Sequence, residues 1–309
     1  HIDSTVPGLV CRRHHRRKAV LQYGEKERIC MDIITWLKAV LLGIVEGITE
    51  WLPISSTTHL DLMGELVKFD PQSEFTKMFT VVIQLGAILA VMILYFNKLN
   101  PFHPKKKAPQ RKATFSLLGK IIAGSIPAVL LGLMLDDWID GHIDNGFVKG
   151  CALIIYGVLF IVIENDQQKK QKPPMFTKVY QVDYLTALYV GFFQVLALVP
   201  GTSRSGITIL GALVLGASRG VAVEFSFLLG IPILAGASLY KLYKHGLDFT
   251  GPEMAYLITG MLVSFGISMV AVRVLLNWIK THDLKFFGYY RIVFGLVILV
   301  WFFVGRMVA

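Results

Sequence analysis

Apolar residues run along this chain in long stretches separated by short polar loops. A bilayer core of about 30 Å takes about 20 apolar residues of helix to cross. Six stretches meet that requirement, at 78–96, 115–135, 147–164, 224–243, 255–276 and 289–308. Two further apolar regions differ in kind: 33–68 is interrupted at LPISS and 181–219 at VPGTSRSG, with Pro and hydroxyl residues at each break. Non-helical backbone at membrane depth is tolerated only inside protein or beside a wet cavity, so both regions predict re-entrant hairpins of two half-helices.

The two interrupted regions echo each other. LGIVEGITEWLPISST and VGFFQVLALVPGTSRS align Gly43 with Gly191, Glu46 with Gln194 and Pro53 with Pro200, and FTVVIQLGAIL is echoed by EFSFLLGIPIL. Each half therefore predicts one re-entrant hairpin followed by three crossings, repeat one over 31–165 and repeat two over 180–309. An odd number of crossings turns the second copy over, which is an inverted-topology repeat.

Composition agrees. With 54% hydrophobic and 17% charged residues in 309, and a mean hydropathy of +0.58, the chain lies outside the soluble range. The expectation is an all-α integral membrane protein with a single polytopic domain over 31–309. The formal charge of +10 sits largely in short loops and a leader, which suits lipid headgroups and not nucleic acid. Cys11, Cys30 and Cys151 give no disulfide framework. Residues 1–30 lack an apolar core and do not read as a signal peptide; they read as a non-native or disordered basic leader, with Met31 the natural start.

Loop charge sets an orientation. Lys98, Lys105, Lys106, Lys107, Arg111 and Lys112 crowd one loop, Lys169, Lys170, Lys172 and Lys178 another, and Lys280 and Lys285 a third, all expected to be cytoplasmic. The loop bearing Asp136, Asp137, Asp140 and Asp144 is expected outside, with both termini; the basic leader runs against this rule. Trp138, Trp278, Tyr289 and Tyr290 read as interfacial anchors, and Gly43 with Gly47 as a close-packing pair.

The breaks carry the chemistry. Glu46 and Glu50, four apart, project from one helical face and repel. An acid at bilayer depth costs about 2.5–3.5 kcal/mol, so the pair calls for a proton, a basic partner, a wet cavity or a divalent cation such as Mg²⁺ or Ca²⁺. After Pro53 come Ser55, Ser56, Thr57, Thr58 and His59. Ser55 reads equally as a helix cap and as a substrate contact. Ser56 and His59 share a face, a nucleophile with a proton carrier. In the second break Gly201, Thr202, Ser203, Arg204, Ser205 and Thr208 form an anion site, with a planar guanidinium fork at a helix N-terminus suited to phosphate.

The Glu46-x-x-x-Glu50 segment, LPISSTTH at 52–59 and PGTSRSGIT at 200–208 resemble the signatures of the bacterial undecaprenyl-pyrophosphate phosphatase family associated with bacitracin resistance. The likeness extends from about Met31 to the C-terminus; Thr58 departs from it, since Gly is more common there. The resemblance implies hydrolysis of a C55 isoprenyl diphosphate to the monophosphate and inorganic phosphate, recycling the lipid carrier of cell-wall synthesis. It also implies a bacterial inner-membrane enzyme whose site opens to the periplasmic side. In that reading Arg204 and backbone N–H groups hold the diphosphate, Glu46 and Glu50 position a divalent metal or tune the site, and either Ser56 attacks while His59 moves protons or His59 activates water and Ser56 only binds. The alternative is a lipid or ion-coupled transporter, whose architecture also uses broken helices but needs no nucleophile. A homodimer is compatible with the small-residue faces.

Overall fold

A computed structural model describes residues 33–69, 73–170, 173–246 and 248–308; the leader expected over 1–30 lies outside them. Among the described residues the fold is all-helical, with one isolated bridge between Phe176 and Ala217. The first half contains α1 (33–49), α2 (Ser56–Val67), α3 (Glu74–Val82), α4 (Gln84–Leu94), the single turn α5 (Phe96–Leu99), α6 (Ala108–His142) and α7 (Gly146–Lys170). The second contains α8 (Tyr184–Val195), α9 (Arg204–Val214), α10 (Arg219–His245), α11 (Gly251–Trp278) and α12 (Lys285–Val308).

Six helical segments are long and apolar enough to cross a membrane, and each coincides with one of the six stretches read from sequence. The protein is a multi-pass membrane protein. The first span is two helices, because α3 stops at Val82 and α4 begins at Gln84. Ile83 keeps right-handed helical angles (φ −61°, ψ −19°), so the interruption is a loosened turn within one crossing. Helix starts follow from local chemistry. Ser73, Asp183, Ser218 and Thr250 each accept a backbone N–H from the first turn of α3, α8, α10 and α11, and Glu253 completes a capping box with Thr250.

The core is centred on α9, in which every residue from Ser205 to Leu213 is buried. A helix enclosed on all sides belongs in the interior, and the outer helices show the complementary pattern. Leu130, Val162, Leu262 and Val300 are 58%, 54%, 65% and 63% exposed, a surface that only lipid covers without penalty.

Small residues set how closely the helices approach. α7 packs along α12, α4 along α11 and α6 along α8. A Cβ on Gly43 of α1 would stand 2.8 Å from the Gly260 carbonyl of α11, and one on Gly191 of α8 would stand 2.3 Å from that of Gly124 in α6. Backbones this close leave no room for a side chain. They fix the depth at which α1 and α8 end, and so where the two breaks lie.

Candidate functional site

Each break is built by the same devices. Pro53 and Pro200 have no N–H to continue a helical ladder. The first break occupies 50–55 between α1 and α2; the second occupies 196–203 between α8 and α9, opening with a 3₁₀ turn over Leu196–Leu198. Each ends on a serine with positive φ, Ser55 at 72° and Ser203 at 71°. Non-glycine residues rarely adopt this backbone, at a cost of about 1–2 kcal/mol. Two such residues, one per break, turn the chain sharply into α2 and α9.

The two breaks meet. Arg204, the first residue of α9, places Nη2 2.7 Å from Glu50 Oε1, while its Nη1 donates to the Ser226 carbonyl of α10 at 2.9 Å. The guanidinium carbon lies 5.4 Å from the centre of the buried Trp51 ring. Gly230 makes the room, since a Cβ there would come within 2.5 Å of Nη1. The other oxygen of Glu50 accepts from Ser56 Oγ at 2.5 Å. Glu50 and Ser56 are 5% and 8% exposed, so one desolvated carboxylate joins a guanidinium to a serine hydroxyl. Charge-assisted bonds of this kind are the strong ones in such surroundings.

His59 lies elsewhere than its spacing suggested. No hydrogen bond joins it to Ser56. Its Nδ1 is 2.7 Å from the Ser55 carbonyl and its Nε2 is 2.7 Å from the Tyr290 hydroxyl. A carbonyl only accepts, so Nδ1 carries a proton, and in the neutral ring Nε2 accepts from Tyr290. The ring stacks on Phe294 with centroids 3.9 Å apart. The reason is positional: the imidazole turns back along α2 to the carbonyl four residues before it, as His142 and His282 do on Trp138 and Trp278, while Ser56 points across the break to Glu50. Tyr290, read from sequence as an interfacial anchor, thus reaches the site.

The remaining candidates divide by what their polar atoms touch. Glu46 is fully buried, and both of its carboxylate oxygens lack a hydrogen-bond partner. The Thr202 hydroxyl is likewise buried and unpartnered. Thr57 is exposed beside Ser55 Oγ. Ser203 caps α9 by accepting from Gly206 N–H at 3.2 Å. Ser205 and Thr208, read as substrate donors, are used internally: Ser205 Oγ donates to the Leu52 carbonyl at 3.1 Å, and Thr208 Oγ1 lies 2.6 Å from Ser226 Oγ behind Arg204. Gly201 has φ +88° and its missing side chain admits the backbone of Lys149, where a Cβ would meet the carbonyl at 2.5 Å.

One residue absent from the sequence reading closes the arrangement. Arg291 of α12 is fully buried; its Nη1 donates to the Pro53 carbonyl at 3.1 Å, and its Nη2 to the carbonyls of Gly201 and Thr202 at 3.1 and 2.7 Å. A single guanidinium thereby ties both breaks together through backbone carbonyls of the interrupted segments. The signal was an arginine inside an apolar span, but near a span end it reads as a side chain reaching for the interface. We expect Arg291→Met, which leaves three buried carbonyls unmet, to lose about 3 kcal/mol or more of stability, with Arg291→Lys intermediate. Thermal melting of the purified protein in detergent checks this; an unchanged midpoint for Arg291→Met would show that the clamp holds nothing.

Comparison with known proteins accords with these features. The chain matches the family model described as bacitracin resistance protein BacA over residues 39–297. It is 53% identical over 269 residues to the undecaprenyl-diphosphatase of Limosilactobacillus fermentum, covering 86% of this chain and 97% of that protein. It is 51% identical over 265 residues to the enzyme of the same name from Enterococcus faecalis, covering 85% and 95%. With that of Acetivibrio thermocellus it shares 50% identity over 270 residues, covering 87% and 98%. A match across most of the chain, at half identity and including both breaks, means that this chain belongs to the bacitracin resistance protein BacA family.

Proposed function

We infer that this protein is an undecaprenyl-diphosphatase, hydrolysing undecaprenyl diphosphate to undecaprenyl phosphate and inorganic phosphate. The observation that carries the reading, beside the relatives' shared name, is the Glu50 carboxylate bonded to Ser56 Oγ on one oxygen and Arg204 on the other. Ser56 Oγ attacks the terminal phosphorus and its proton passes to Glu50. The bond from that phosphorus to the bridging oxygen breaks, and the lipid monophosphate departs with the bridging oxygen. Water then cleaves the phosphoserine to release inorganic phosphate. Arg204, whose Nε is buried without a partner, binds the phosphoryl oxygens, since phosphoryl transfer rests on positioning and charge neutralisation. His59 Nε2 and the Tyr290 hydroxyl exchange protons with bound phosphate. A carrier would have no use for a hydroxyl set on a carboxylate in this way.

A divalent cation fits the residues present. Glu46 is a fully buried carboxyl group beside Glu50, and its ionised form requires a counter-ion. Among the described residues no group of three His, Cys, Asp or Glu side chains could hold an ion alone. Glu46 and Glu50 would hold Mg²⁺ or Ca²⁺ together with water and diphosphate oxygens. The ion would supply charge neutralisation on the phosphoryl oxygens.

The hairpins are proposed as re-entrant and the halves as inverted repeats in the bacterial plasma membrane, with the site open to the periplasmic side. Length supports the first: α8 and α9 have 12 and 11 residues, too few for about 30 Å at 1.5 Å each. Pairing supports the second, since aligned Gly43 and Gly191 contact Gly260 and Gly124 on the elements that an inversion equates, α11 and α6. Loop charge supports the orientation. In intact cells a cysteine at Asp144 should react with an impermeant thiol reagent and one at Lys106 should not; the reverse pattern would overturn the orientation.

Phosphate release from C55 diphosphate by the purified protein tests the function. Wild type should turn over, Ser56→Ala should fall at least about a hundredfold, and excess chelator should abolish activity until Mg²⁺ or Ca²⁺ is restored. Full activity in chelator with Glu46→Gln still impaired would remove the metal and keep the residue. Full activity of Ser56→Ala would make water the nucleophile.

A further inference from the structure

An open pocket with both charged and apolar lining lies at the end of the bundle that carries the basic loops. It has a volume of about 750 Å³, is bounded by α10, α11 and the turn of α5, and shares no lining residue with the cluster around Glu50. Loops of that end close around it: the Tyr180 hydroxyl and Lys106 Nζ both donate to the Lys98 carbonyl. Three cations line the cavity, Lys98, Arg273 and Lys280, against one carboxylate, Glu224. Glu224 is already paired with Lys98. Lys280 Nζ reaches only the neutral Asn277 side chain, at 2.9 Å. Arg273 makes no hydrogen bond or ion pair with any described residue.

Arg273 is the telling residue. It is exposed, yet it lies inside the membrane-spanning segment Gly251–Trp278, five positions before its end. Val270 and Asn277, at i−3 and i+4, share its helical face, Val274 flanks that face four residues after Val270, and Val270 and Val274 are 59% and 60% exposed. Along this stripe the surface changes from valine to guanidinium to carboxamide, and Lys280 follows one turn later. A guanidinium at that depth with no protein partner needs an anion from the bilayer side. The apolar floor of Val221 and Leu276 beneath the cations suits the glycerol and first methylenes of a lipid. Glu224 is two residues from Ser226, whose carbonyl takes Arg204, but about 200° around α10, so the helix separates the two sites.

We propose that this cavity is a binding site for the phosphate headgroup of an anionic membrane lipid, held by Arg273 and Lys280 with its acyl chains along Val270 and Val274. The chemistry recognised is a phosphate ester, which a bilayer phospholipid or free phosphate could present; the exposed valine stripe assigns the lipid.

The test is native mass spectrometry of the detergent-purified full chain titrated with dioleoylphosphatidylglycerol or dioleoylphosphatidylcholine. Each cation at such a headgroup is worth about fivefold in affinity, so Arg273→Gln with Lys280→Gln should weaken phosphatidylglycerol binding roughly twentyfold, to the level of phosphatidylcholine. Arg273→Lys, which keeps the charge, should stay within about fivefold of wild type. Undiminished binding by the double variant would overturn the proposal. Displacement of phosphatidylglycerol by inorganic phosphate at constant ionic strength would overturn the lipid assignment in favour of free phosphate.

Discussion

A buried ion pair joins the two broken regions of the chain: Arg204, at the start of α9, on Glu50, just past the end of α1. Removing both charges from water costs several kcal/mol each, and only close geometry with further hydrogen bonds offsets that. The rest of the centre supplies those conditions. The Ser226 carbonyl takes a second guanidinium nitrogen, Ser56 takes the second carboxylate oxygen, and Gly230 leaves space for the fork. Arg291 holds the backbone on both sides of the pair, so neither partner can withdraw without breaking bonds to Pro53, Gly201 or Thr202.

Strain and unmet polar groups gather at the same place. Two of the three non-glycine residues with positive φ among those described, Ser55 and Ser203, end the two breaks. Glu46, Thr202 and the Nε atoms of Arg204 and Arg291 are buried without hydrogen-bond partners within or beside the breaks. A chain selected for stability alone would fill these with apolar groups. The aligned positions of the two breaks also differ: where the first has Glu46, the second has Gln194, whose amide donates to the Gly124 carbonyl at 3.4 Å. One break thus carries the carboxylates and the other the cation, which gives their meeting a charge complementarity that identical copies would lack.

Much of this was legible in the sequence, for identifiable reasons. Spans of about 20 apolar residues have one solution in a bilayer, so the six long helices and the two interruptions followed from length and composition. Glu50, Ser56 and Arg204 were legible because charge and hydroxyls inside apolar segments are costly unless used. The partners of His59 were not, because helical spacing put it beside Ser56 while the imidazole turns back along its own helix to the Ser55 carbonyl and across to Tyr290. Tyr290 and Arg291 were missed together: they begin a span far along the chain from both breaks, and near a span end an aromatic and a cation look like interfacial residues. Hydroxyl roles were the least legible, since Ser205 and Thr208 differ from Ser56 only in which carbonyl or carboxylate faces them.

The claim that the Glu50–Arg204 pair organises the centre is tested most directly by a double-mutant cycle on thermal stability, with Glu50→Gln, Arg204→Met and the two combined. Each single variant strands a buried charge and should lose about 3–5 kcal/mol. The double variant strands none, so it should melt above the less stable single variant while remaining inactive, with a coupling energy of about 2 kcal/mol or more. Losses that simply add in the double variant would contradict the account, because two residues that do not depend on each other cannot be the link between the breaks.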